Sequence, residues 1–194
     1  MADRTAELHR KTKETDVFLN MNLDGTGRYE IESGVGFLDH MLTHLSKHSG
    51  IDLTVKASGE LEVDGHNTIE KIALCRGECL DKSLGDKKGI GRYGNNSLPM
   101  EETLAETAVD LSGRPAFVYN VKYRTDKIGD FDVECIEEML RTFSNHGKFN
   151  LHINVPYGTN SHHIAEAVFK SLGKSLRQAV AVTGTDIPST KGVL

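Results

Sequence analysis

Apolar and polar positions alternate at Val17, Leu19, Met21 and Leu23, and Asp24-Gly25 then marks a turn, so the pattern predicts a strand over 17–23. From Phe37 to His48 the apolar spacing becomes helical and stops near Gly50. Alternation returns at Ile51, Leu53, Val55 and Ala57 as a second strand, and a helical pattern runs from Asn67 to Leu84, ending at Gly85. The glycine-rich stretch Gly85 to Asn96 reads as a linker. The order then recurs. Residues 103–111 and 115–121 are strand-like, 132–145 helical, Phe149, Leu151, Ile153 and Val155 alternate, and Ile164 to Val182 forms a long helix.

The recurrence is visible residue by residue. HMLTHLSKHSGIDL (40–53) lies over EMLRTFSNHGKFNL (138–151) without a gap, matching Met41/Met139, Leu42/Leu140, Ser46/Ser144, His48/His146 and Leu53/Leu151. HNTIE (66–70) lies over HHIAE (162–166), and beyond it Gly77 meets Gly173 and Leu80 meets Leu176. Two copies of a strand–strand–helix–strand–helix unit are expected. The fold class is therefore α+β: a tandem duplication of a small, mainly antiparallel four-stranded sheet with two helices on one face. The halves are 1–88 and 89–194, joined as one compact unit.

Composition narrows the class of function. The net charge of −5 argues against nucleic acid as a partner. No apolar run approaches the ~18 residues of a membrane span. The N-terminal MADRTAELHRKTKETD is densely charged, without the apolar centre of a signal peptide. Cys75 and Cys79 are four apart in an expected helix, and three cysteines are an odd number, so a reducing cytoplasm is expected. Nine histidines make the chain rich in metal-ligand side chains.

His162, His163 and Glu166 form H-H-x-x-E at a helix start. The pairs at i, i+3 and i, i+4 share a face, while the adjacent histidines point ~100° apart and would serve different ions. Imidazole with carboxylate suits Mn, Fe or Zn. The first copy keeps His66 and Glu70 but has Asn67, a poor ligand, where the second has histidine. His40 and Glu138 occupy matching positions and are candidates for the remaining ligands. His44, His48 and His146 have no ligand partner at clear spacing, and His48 and His146 read as helix-end residues. His152 reads as a satisfied core or supporting group and His9 as solvated. Arg92, Arg114, Lys170 and Lys191 are suited to a phosphate, three of them beside glycine.

FLDHML (37–42), DLSGRP (110–115), GTNSHHIAEAVFK (158–170) and PSTKGVL (188–194), with KETD and LDGTG near the start, resemble the imidazoleglycerol-phosphate dehydratases. The resemblance runs from about Arg10 to the C-terminus. It implies a duplicated α+β fold, a 24-subunit particle and two divalent metal ions, Mn2+, at sites between subunits. It implies His40, His66, Glu70, His162, His163 and Glu166 as ligands, with Glu138 where the family often has histidine. Glu14 would be a substrate-contacting acid/base beside the catalytic His66, Glu70, His163 and Glu166. Arg92, Arg114, Lys170, Ser189 and Lys191 would hold the phosphate of a phosphorylated imidazole substrate. The family's first motif reads D-D-H-H-x-x-E-D, whereas this chain has Asp64-Gly65-His66-Asn67-Thr68-Ile69-Glu70-Lys71. One metal place is therefore expected to be weakened. Two further readings stay open: a weak or inactive family member that still binds metal and substrate, and a metal-dependent hydrolase on the same scaffold.

Overall fold

The computed structural model describes residues 4–59 and 64–194; Met1 to Asp3 of the charged N-terminal stretch lie outside them. The elements run β1 (Thr5–Lys11), β2 (Thr15–Asn22), β3 (Tyr29–Glu32), α1 (Gly36–Ser49), β4 (Asp52–Gly59) and α2 (His66–Leu84). They continue with β5 (Tyr93–Met100), β6 (Thr103–Asp110), β7 (Ala116–Asn120), β8 (Lys127–Ile128), β9 (Phe131–Asp132), α3 (Glu134–Gly147), β10 (Asn150–Tyr157) and α4 (Ser161–Val180).

Two four-stranded sheets have the orders β1-β2-β4-β3 and β5-β6-β10-β7. In each, three strands are antiparallel and the fourth pairs in parallel across a helical crossover, β3 with β4 and β7 with β10. β2 follows its period-2 pattern: Val17, Leu19 and Met21 are buried while the intervening residues are not. α2 lies on β1 and β2, and α4 on β5 and β6. The helices also pack across the duplication, α1 on α4 and α2 on α3. One continuous core therefore runs from sheet to sheet through the helices.

The matched serines do the same work in each copy. Ser46 Oγ donates to Ile51 O at 2.7 Å and Ser144 Oγ to Phe149 O at 2.6 Å, tying each helix end to the strand that follows.

The sequence pattern misses β1, β3 and β5, and the stretch from Gly85 to Asn96 is not simply a linker because β5 begins at Tyr93. β1 and β5 are edge strands, where charged residues, Gly and Pro are tolerated and blur the pattern. Gly94 is there for packing: a Cβ on it would stand 1.9 Å from Ser175 O of α4.

Candidate functional site

The second motif opens α4, and three contacts fix that helix start. Asn160 caps it, its Oδ1 accepting from the backbone N–H of His162 and His163. Glu102 Oε1 accepts from the N–H of Thr159 at 3.1 Å and Asn160 at 2.7 Å. Ser161 Oγ accepts from the N–H of Arg124 and Thr125.

α4 then meets α1. His162 Nε2 lies 3.1 Å and His40 Nε2 3.4 Å from Glu166 Oε2. Among the described residues, these three are the group whose ligand atoms converge, all within 4.8 Å of one another. His40 comes from the first half and the other two from the second. Glu166 is buried. Burial alone would raise its carboxyl; the hydrogen bond from Lys170, 2.5 Å from Oε1, with the charge of His44 and Lys170 and the bond to His162, overcomes this and brings it down to about 2.

The first motif, on α2, is arranged differently. His66 Nε2 lies 3.2 Å from Glu138 Oε2, again a pairing across the halves. Glu70 is turned to Lys71, whose Nζ is 2.9 Å from its Oε2. Asn67 Nδ2 donates to Glu14 Oε2 at 2.8 Å. Glu14 is thus brought to the first motif.

His163 points elsewhere than His162, its ring at 89° to its neighbour's, and its Nδ1 lies 2.8 Å from Glu102 Oε2. The hydrogen bonds to His163 and to the backbone of Asn160 hold the Glu102 carboxyl far below its ordinary range.

The phosphate-type residues divide into two groups. Arg92 forks onto Asp110 through Nε at 2.7 Å and Nη2 at 3.2 Å, and its Nη1 donates to Pro188 O. A Cβ on Gly113, beside Arg114, would lie 3.1 Å from the carbonyl carbon of Leu194. Arg92 and the Ser112–Arg114 turn therefore flank the C-terminal segment that holds Ser189 and Lys191. Lys170 stands apart. Arg92 N–H reaches Ala179 O, and from Ala179 back to Lys170 is nine residues of α4, ~13 Å of helix.

Two expectations about histidines change, and one partner has no counterpart in the sequence reading. His44 is not without a partner: its Nε2 is 3.2 Å from Glu166 Oε1 and 3.3 Å from His40 Nε2. The i, i+4 spacing from His40 is the signal that places both on one face of α1. His152 is exposed on the outer face of β10 rather than in the core, because the strand's alternation buries Leu151 and Ile153 instead. Glu102, 61 residues from His163, has no sequence signal. His48 and His146 do sit in the last turns of α1 and α3, as expected.

The family model for imidazoleglycerol-phosphate dehydratase matches residues 33–176. An imidazoleglycerol-phosphate dehydratase of Exiguobacterium sp. is 52% identical over 190 residues, 97% of either chain. One of Cereibacter sphaeroides is 48% identical over 98% of this chain and all of its own. The crystal structure of imidazoleglycerol-phosphate dehydratase from Staphylococcus aureus superposes with a TM-score of 0.85 at 35% identity, covering 92% of this chain and 99% of that one. That from Pyrococcus furiosus gives 0.81 at 33% identity over 96% and 100%. The chain belongs to the imidazoleglycerol-phosphate dehydratase family, a family of hydro-lyases.

Proposed function

We propose that the protein is a metal-dependent hydro-lyase of the cytoplasm that removes water from imidazoleglycerol phosphate, giving imidazoleacetol phosphate in histidine biosynthesis. The observation that carries this reading is the meeting of His40, His162 and Glu166 across the two halves of a chain of this family. Two imidazoles and a carboxylate are donors suited to manganese, and these three residues would hold one ion. His66, Glu70 and Glu138, with His163, supply the donors for a second. When bound, a divalent cation supplies Lewis-acid stabilisation of negative charge developing on the substrate imidazole.

The chain's own residues do the rest. Glu14 transfers the proton that leaves carbon, by general acid–base catalysis, and the Asn67 amide orients it. Arg92, Arg114, Ser189 and Lys191 bind the phosphate and so fix the glycerol chain, with Lys170 acting from α4 beside Glu166. The separation of Lys170 from Arg92 within one chain favours a site that draws on neighbouring subunits, in keeping with a 24-subunit particle.

The second ion is bound weakly. Asn67 offers a neutral amide already committed to Glu14, and the Lys71 ammonium occupies Glu70. That pair also favours a slower reading, a family member that binds metal and substrate but turns over poorly. The test is product formation from imidazoleglycerol phosphate with saturating manganese. A rate above background is expected, rising in Asn67→His by on the order of 10-fold or more, the scale of a disturbed metal surround. No rate in either form would leave only the binding reading. Equal thermal stabilisation by phosphate esters with and without an imidazole would favour the hydrolase instead.

A further inference from the structure

Glu102 sits in the turn between β5 and β6, far in sequence from the motifs, yet both of its carboxylate oxygens are committed to the start of α4. Oε1 is a structural anchor: it accepts from Thr159 N, Asn160 N, Thr159 Oγ1 and Thr103 Oγ1, at 2.7 to 3.3 Å. Oε2 is directed to one atom, His163 Nδ1, at 2.8 Å. An ionised carboxylate can only accept, so the proton of a neutral His163 ring must sit on Nδ1. The lone pair is then on Nε2, at the far side of the ring. The backbone of His163 is also held, its N–H donating to the Asn160 cap. The ring is fixed from both ends, and its side chain remains about 30% exposed.

We propose that Glu102 is the positioning residue of His163: it fixes the Nδ1–H tautomer and the aim of the ring, so that Nε2 is presented as a donor away from the group around Glu166. The use of that donor rests on the reading of His163 as a metal ligand; the tautomer itself does not. Histidine ligands are characteristically oriented through their other ring nitrogen, and loss of such a partner typically weakens metal binding ~10–100-fold.

The substitution that separates the two oxygens is Glu102→Gln. Its carbonyl oxygen can keep the two backbone donors of the loop, Thr159 N and Asn160 N, while its NH2 faces Nδ1. An NH2 can only donate, so Nδ1 must become the acceptor and the proton must move to Nε2. The experiment is nitrogen-15 NMR of the metal-free full-length protein labelled at histidine, with His163→Gln used to assign the signal. The expected result is a proton on Nδ1 in the parent and on Nε2 in Glu102→Gln, with a thermal midpoint little changed and manganese affinity reduced ~10–100-fold. A parent whose His163 is protonated on Nε2 overturns the proposal, even if the variant does not fold. So does an identical tautomer in both proteins. A changed tautomer with unchanged manganese affinity supports the positioning role and overturns instead the ligand role of His163.

Discussion

Arg76 lies on the buried side of α2, where the repeat places an apolar face. Its guanidinium stacks 4.1 Å above the Phe143 ring, but Nε and Nη1 have no hydrogen-bond partner among the described residues. Burial alone pulls its ionisation down to about 9. The cation–π contact offsets only part of the cost of an unpaired buried charge. Arg76→Leu is expected to stabilise the fold by ~1–3 kcal/mol, seen as a calorimetric midpoint several degrees higher. A lower midpoint would show that the guanidinium is compensated.

His44 sets a pH dependence. Burial is the largest influence on it and outweighs the attraction of Glu166, bringing it from 6.5 to about 4. The fold therefore favours the neutral ring. This stabilisation is complete above about pH 6.5 and is lost as pH falls toward 4, because the unfolded chain takes up the proton first. The effect is at most ~3 kcal/mol. Denaturant titrations of the metal-free protein between those limits should show the fall, and His44→Gln should flatten it; an unchanged slope would assign it to other groups. At this scale His44 is readable from its spacing to His40, whereas Glu102 reaches His163 through a loop that spacing cannot describe.

The helix crossings belong to the scale of elements. Gly77 and Gly173, matched by the repeat, both sit where one helix meets another. A Cβ on Gly77 would stand 2.7 Å from Gly147 N, against backbone of α3. On Gly173 it would stand 2.9 Å from His48 Cβ and 3.1 Å from Leu45 O of α1. Alanine at either position should destabilise by ~1–3 kcal/mol in denaturant titrations, with Gly77→Ala the more severe. Equal stability of parent and variants would mean that the crossings can open. All four helices are readable from their period because each buries a continuous stripe. The edge strands β1 and β5 are not, since β1 shares its weak alternation with Glu7, His9, Arg10 and Lys11, and β5 combines Gly94 with Pro99.

At the scale of the molecule, the matched strand orders repeat the internal similarity of the sequence, while the pairing across the halves appears only when the chain folds. His40 meets the motif of the other copy, and Glu138 meets His66. Sequence comparison shows which residues correspond but not which ones touch, because that depends on α1 packing on α4 and α2 on α3. The fold thereby turns one duplicated motif into two unlike groups. In one, donors converge on Glu166; in the other, Lys71 holds the Glu70 carboxylate that a cation would need, and Asn67 stands where the second copy has histidine.

The most direct test of that asymmetry is an equilibrium titration of the metal-free protein with manganese, counting ions bound per chain, beside Asn67→His. The expected result is one tightly bound ion per chain in the parent, with a second held at least ~10-fold more weakly, and a stronger second ion in Asn67→His. Two ions of equal affinity in the parent, or no gain in the variant, would contradict it.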